Sequence, residues 1–233
     1  MVSALILIAD IISAAAALAL AYFTIQPCKV SGISYLLCVP AGFALVAVGF
    51  IVSVPSLLIT SSLTNGFETV SLLTQTYGLL LLALTYARRT RFMIIGQSII
   101  LEIAIPVLVT IGVVTYALVV EGAGAGLMAS ALEMPLRLIM GLSTLYLIYE
   151  TIRNWSLTQK ASEGVVAVAF VFLFIEQLGF LLVFENFGDI ATFVGYEGRL
   201  IGLFILIAVT GLKIRREDAS TVLKRLGLTA LAH

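Results

Sequence analysis

The residues of this chain that could carry chemistry are a few charged side chains set inside long apolar runs. In the stretch LFIEQLGF, residues 173–180, Glu176 stands among Leu, Ile, Phe and Gly. Asp10, Arg137 and Arg199 occupy similar positions in other runs. A lone charge in lipid is costly, so such residues usually pair with one another or line a polar pathway. Two acids and two bases of this kind predict either a structural set of ion pairs or a polar pocket that binds a small solute or ion.

Glu102, in the run QSIILEIAIP, differs from these four residues. It is predicted to lie near the middle of the membrane, and no basic residue is predicted at that depth. Pro106 has no backbone N–H to donate to the carbonyl group of Glu102, which predicts a kink at this point. Apolar surroundings favour the neutral form of a carboxyl group. Glu102 is therefore a candidate proton carrier. The alternative is a protonated acid that is hydrogen-bonded to a neighbour such as Gln97 or Gln75.

Helical periodicity places small and polar side chains on the same faces as the charges. Residues at i, i+4, i+7, i+11 and i+14 share a helix face. The faces predicted in this way are Asp10, Ala14, Ala17, Ala21 and Thr24; Glu68, Ser71, Gln75 and Gly78; Arg137, Gly141, Thr144, Ile148 and Thr151; and Thr192, Gly195, Arg199 and Gly202. Small residues permit close helix contact in lipid, so we expect these faces to point into a bundle. We expect Ser71, Gln75 and Gln177 to form a polar stripe beside the charges.

Membrane-spanning helices are the elements that must position these residues. Of the 233 residues, 61% are hydrophobic and 11% are charged, whereas a soluble domain has about 25% charged residues. Windows of about 20 apolar residues can cross a bilayer as helices. Seven such windows are predicted, at about 3–25, 34–58, 67–87, 93–120, 128–150, 164–185 and 192–212. The expected fold is all-α, with a multi-pass transmembrane domain over 1–216 and a short cytoplasmic amphipathic tail over 217–233.

The distribution of Lys and Arg predicts the orientation of the spans. Of the 13 Lys and Arg residues, all except Arg137 and Arg199 fall on one side of the seven-span arrangement. Because cytoplasmic loops carry an excess of positive charge, we expect the N-terminus outside and the C-terminus in the cytoplasm of a cell membrane. At ~1.5 Å rise per residue, Asp10, Arg137, Glu176 and Arg199 then share one layer in the outer half.

An internal repeat is predicted by two alignments within the chain. Residues 10–26 match residues 137–153 at six of seventeen positions, and residues 76–83 match residues 200–207 at three of eight. The first three spans would then repeat as the last three, in parallel orientation, with the fourth span as a linker. Chance similarity between apolar helices is the alternative.

Composition and motifs narrow the classes of function. A formal net charge of zero gives no support for nucleic-acid binding, and the single histidine is the last residue, His233. Cys28 and Cys38 have neither the number nor the spacing of a disulfide framework or a zinc site. We expect no catalytic residues, metal or cofactor.

The leading expectation is a transporter or channel for a small solute or ion, with a polar pocket in the outer half of the bundle. The alternatives are a non-catalytic subunit of a larger membrane complex, a seven-helix receptor or sensor that acts through a partner, and a membrane enzyme. The expected partners are the lipid bilayer and either other membrane subunits or further copies of the chain.

Overall fold

The computed structural model describes residues 2–31, 37–58, 64–91, 108–109, 111–112, 115, 128–182 and 188–225, and these residues contain helices but no strand. The long helices of this part of the chain are α1 (Val2–Ser31), α2 (Cys38–Leu58), α3 (Thr64–Arg91), α4 (Met128–Thr158), α5 (Ala161–Leu182) and α6 (Gly188–Arg225). The predicted all-α architecture is confirmed for the described residues. The last helix continues to Arg225, beyond the predicted end of the last span at 212.

Five of these helices are long and apolar enough to cross a membrane, as expected of a multi-pass membrane protein. The crossing segments are Ala4–Ile25, Cys38–Pro55, Gly66–Ala87, Ala161–Leu181 and Ile190–Lys213. Helix α4 has 31 residues but is more polar, since it contains two acid–base pairs. The predicted fourth span, 93–120, lies almost wholly outside the described residues, so the seven-span arrangement stays a prediction.

The helices pack against their neighbours in chain order, and α6 packs against α1. Helices α3 and α4 are parallel, because Leu72 and Leu73 near the start of α3 pack against Leu132 and Leu136 near the start of α4. The end of α3 and the start of α4 therefore lie at opposite ends of the bundle.

Small residues fill the centre of the bundle, and large apolar residues cover much of its outside. Ala14, Ala17, Thr144 and Thr151 are buried, which confirms the inward orientation predicted for their two helix faces. Many Leu, Ile, Val and Phe side chains are exposed on the outer faces. An exposed apolar surface of this extent suits contact with lipid rather than with water.

Glycines bring α2 and α3 into close contact, and Gly78→Ala is expected to separate them. A Cβ at Gly78 would lie 2.6 Å from the carbonyl oxygen of Gly42 and 2.7 Å from Cγ2 of Val46. Overpacking of this kind costs about 1–3 kcal/mol, so the variant should unfold at a lower temperature in mild detergent. Gly211→Ala is the matched control, because among the described residues nothing beyond the adjoining helix backbone lies within 4 Å of its Cβ position. Equal melting temperatures for the two variants would contradict the close contact.

Candidate functional site

A cavity of about 220 Å³ lies toward the end of the bundle where α1, α3, α4 and α6 begin. Its lining comes from all six long helices and includes four carboxyl groups and two guanidinium groups. The lining residues are Asp10, Ser53, Leu57, Glu68, Ser71, Leu72, Gln75, Glu133, Arg137, Glu176, Phe180, Tyr196 and Arg199. The structure therefore brings all four predicted layer residues to one cavity, whose lining carries two more acids than bases.

The floor of this cavity is an ion-paired group that we call the triad: Asp10, Arg199 and Glu176. Nη2 of Arg199 lies 2.5 Å from Oδ1 of Asp10, and Nη1 lies 3.6 Å from Oε1 of Glu176. The hydroxyl group of Ser53 donates a hydrogen bond of 2.8 Å to the second oxygen of Asp10. The side chains of the triad are only 4–6% exposed. Because α1, α5 and α6 each supply one member, the triad links three helices.

Aromatic rings hold the Arg199 guanidinium group in this position. Its Cζ atom lies 4.5 Å from the centre of the Phe50 ring and 4.6 Å from that of the Tyr196 ring. A cation over an aromatic face is attracted by the ring quadrupole, more strongly where water is excluded. Gly195, four residues before Arg199, lets α6 lie close to the backbone of α5, since a Cβ at this position would be 3.3 Å from the carbonyl oxygen of Glu176. This close approach brings Arg199 within reach of the Glu176 carboxyl group.

The mouth of the cavity carries a second acid–base pair, on α4. Nε of Arg137 donates a hydrogen bond of 2.9 Å to Oε1 of Glu133, and the side chains are 13% and 35% exposed. The Arg137 guanidinium group lies 4.0 Å from the centre of the Phe180 ring. Glu68, on α3, experiences the charges of both Glu133 and Arg137. The mouth therefore holds two carboxyl groups and one guanidinium group, which is ion-paired with Glu133.

The predicted polar stripe is divided between this cavity and a smaller one. Gln75 donates a hydrogen bond of 3.0 Å to the Ser71 hydroxyl group, which donates one of 2.8 Å to the carbonyl oxygen of Gly49. Ser71 thus ties α3 to α2, Gln75 supports Ser71 within α3, and both residues line the charged cavity. Gln177 instead lines a cavity of about 20 Å³ on the other side of Glu176.

The two arginines of the predicted layer have different ion-pair partners. The sequence left either arginine as the partner of Glu176, and the structure places Arg199 between Asp10 and Glu176. Arg137 makes its ion pair with Glu133 of its own helix. Glu102, the candidate proton carrier, lies outside the described residues, so that role stays a prediction.

Several lining residues were not among the site residues predicted from the sequence. The spacing of Glu133 and Arg137, four residues apart on one helix, was a usable signal for their pair. Ser53, Phe180 and Tyr196 gave no such signal, because their place in the cavity depends on how the helices are rotated.

Glu150 is a further buried acid that the sequence analysis did not single out. It lies in α4 toward the other end of the bundle and is fully buried. The Tyr146 hydroxyl group donates a hydrogen bond of 2.9 Å to its Oε1, and Arg153 lies 3.6 Å from its Oε2. Glu150 lies outside the lining of the charged cavity.

Chemically, the charged cavity can bind a small polar or charged solute, or exchange protons. Within the described helices, no group of three or more His, Cys, Asp or Glu side chains is arranged to hold a metal ion. The fold and the cavity together define an apolar, membrane-type helix bundle with a charged pocket near one end. No protein family model matches the chain, and comparisons with curated proteins and with solved structures return no match.

Proposed function

We propose that this protein is a transporter or channel for a small solute or ion. The observation that carries the proposal is the charged cavity, with six charged side chains around about 220 Å³ of space in an apolar bundle. Ion pairs that only hold helices together need no space beside them, whereas binding pockets in bundles combine a cavity with a few convergent polar groups. Charged groups that face the interior of a membrane bundle commonly mark the path of a substrate or ion.

The directions of the helices support a seven-span arrangement with the pocket in the outer half. The parallel orientation of α3 and α4 is expected if the chain between them crosses the membrane once, as predicted for 93–120. All the basic residues except Arg137 and Arg199 would then lie on the other side of the membrane from the mouth of the cavity. By the positive-inside rule, that mouth faces outward.

Two helix contacts support the proposed internal repeat. A Cβ at Gly78 would lie 2.6 Å from the carbonyl oxygen of Gly42, and a Cβ at Gly202 would lie 2.8 Å from that of Ala169. Gly202 follows Gly78 by 124 positions, and Ala169 follows Gly42 by 127. These are the same two offsets that relate the sequence matches, although Gly42 and Ala169 took no part in finding them.

The charged cavity lies where the two halves of the proposed repeat meet. Seven of its lining residues come from α1–α3, and six come from α4–α6. Transporters built from repeats bind their substrates at the interface between the repeats. The repeat therefore adds support for a substrate site at this position.

A ligand screen by thermal unfolding tests the proposal. Purified protein in mild detergent is heated with small cations, anions, zwitterions and sugars. A solute present at 100 times its Kd should stabilise the fold by about 2.7 kcal/mol. Any solute that raises the melting temperature is then tested for uptake into liposomes that contain the protein. The control is Leu142→Ala, on the exposed face of α4, which should leave ligand stabilisation unchanged.

Co-purification from native membranes distinguishes the proposed transporter from a subunit of a larger membrane complex. We expect the chain to migrate alone or as a homo-oligomer in a native gel after extraction in mild detergent. A stoichiometric set of other membrane proteins, together with no stabilising solute, would contradict the proposal and favour a subunit of a larger complex.

A further inference from the structure

Glu176 separates the charged cavity from the smaller cavity that lies deeper in the bundle. Among the described residues, only Glu176 and Gln75 line both cavities, and Glu176 is 5% exposed. The smaller cavity has a volume of about 20 Å³, and its polar lining also includes Thr144 and Gln177. Most of the lining is apolar, but the volume is enough for one water molecule, which needs about 10–15 Å³ and polar partners. The Glu176 carboxyl group is thus placed to exchange a proton with either compartment.

The smaller cavity has a further feature that fits a hydrogen-bond donor beside Glu176. Oε1 of Gln177 has no hydrogen-bond partner among the described residues, and the Gln177 residue is 2% exposed. A buried acceptor left without a partner costs about 1–3 kcal/mol. A water molecule or a protonated carboxyl group close by would satisfy this acceptor.

The triad has two acids but only one positive charge to neutralise them. Asp10 and Glu176 share the single positive charge of Arg199, and the three side chains are almost completely buried. Two carboxyl groups that share one buried site do not readily ionise together. One proton on either acid would make the triad neutral.

The distances indicate which acid takes that proton. Asp10 lies 2.5 Å from the guanidinium group and accepts a hydrogen bond of 2.8 Å from Ser53. Glu176 lies 3.6 Å from the same guanidinium group, which is beyond a good hydrogen bond. Asp10 is therefore the better stabilised carboxylate, and Glu176 is the acid that gains more from protonation.

The other charged and titratable groups that face Glu176 do not remove this imbalance. They are Arg137 of α4 and Tyr196 of α6, in addition to Asp10 and Arg199. Arg137 is hydrogen-bonded to Glu133 at 2.9 Å, which balances its charge. Gln75 of α3 and Gln177 of α5 are neutral, and the side chain of Gln177 also hydrogen-bonds to that of Glu176.

We infer that Glu176 is the acid at which this bundle takes up and releases a proton. The proton binds a carboxylate oxygen of Glu176 and leaves from it, while Arg199 stays paired with Asp10. The biological role of this proton rests on the proposed function. In a transporter, Glu176 would be the residue that couples movement of the solute to movement of protons. It gives Glu176 the role that the sequence analysis assigned to Glu102.

Infrared difference spectroscopy of the protein in liposomes tests the inference without any knowledge of the solute. Spectra are recorded from mildly acidic to alkaline pH, above the range, about pH 4, in which exposed carboxyl groups titrate, with the proton as the ligand, in H2O and in deuterium oxide. A protonated carboxyl group gives a C=O stretching band that shifts on deuteration. We expect this band to disappear as the pH rises in the native protein and to be missing at every pH in Glu176→Gln. The control variants Glu68→Gln and Glu150→Gln should retain it.

Two outcomes would overturn the inference. One is a native protein with no carboxyl band that titrates in this pH range, and the other is a band that survives in Glu176→Gln. If Glu176→Gln does not fold, Glu176→Asp replaces it and should move the band without removing it; an unmoved band would also overturn the inference. Failure of the proposed function is a separate result, because it would appear as an absence of ligand stabilisation and uptake.

Discussion

Arg199→Met is expected to lower the free energy of unfolding by about 3–5 kcal/mol, because removal of one partner of a buried ion pair leaves an uncompensated charge. Arg199 serves both Asp10 and Glu176, at 2.5 and 3.6 Å. The substitution also removes a cation from the faces of Phe50 and Tyr196. Methionine retains a long apolar side chain, so a cavity contributes little to the loss. Thermal and chemical unfolding in mild detergent measure the effect.

A second-site variant separates this electrostatic effect from a loss of packing. The double variant Asp10→Asn with Arg199→Met no longer contains the Asp10 charge and should be more stable than Arg199→Met alone. Coupling energies between residues in one such network are about 0.5–3 kcal/mol. Arg137→Met is the matched control, because its pair with Glu133 is partly exposed and such pairs contribute about 0–1 kcal/mol. An equal loss from Arg137→Met, or no rescue by Asp10→Asn, would contradict a stabilising role for the triad.

The sequence predicted the location of the charged cavity better than it predicted the pairing inside it. Helical periodicity and a fixed rise per residue were enough to bring Asp10, Arg137, Glu176 and Arg199 to one level of the bundle. These quantities depend on each helix alone. Pairing depends on which helices are neighbours and on how each is rotated. Asp10 and Arg199 are 189 positions apart, and they meet because α6 packs against α1.

Spacing along a single helix could have predicted the ion pair at the mouth of the cavity but not the pairing in the triad on its floor. Glu133 and Arg137 are four residues apart, a spacing at which side chains meet on any helix. Glu150 stands at the predicted end of a span, 128–150, and the sequence assigned it no role. Helix α4 continues to Thr158, so this carboxyl group lies inside the bundle and is fully buried. Errors of a few residues at a helix end can therefore change the expected environment of a charged residue.

Arg137→Gln is expected to weaken ligand binding strongly while leaving the fold intact. In the proposed transporter, Arg137 is the partly exposed base at the mouth, with its guanidinium group 4.0 Å from the Phe180 ring and a side chain 13% exposed. A charged hydrogen bond to a solute contributes about 1.5–3 kcal/mol, which corresponds to roughly a ten- to hundredfold change in Kd. The loss of its exposed pair with Glu133 should change the free energy of unfolding by about 1 kcal/mol or less.

The comparison that decides this prediction uses the solute identified by the ligand screen. Ligand stabilisation and uptake into liposomes are measured for the native protein, Arg137→Gln and Arg137→Lys. Lysine keeps the charge but lacks the planar group that stacks on Phe180, so partial recovery is expected if charge attracts the solute and stacking positions the base. Full uptake by Arg137→Gln would contradict a role for this residue in binding. A strongly destabilised Arg137→Gln would instead assign Arg137 to the structural ion pairs, because a residue that only meets the solute does not hold the empty bundle together.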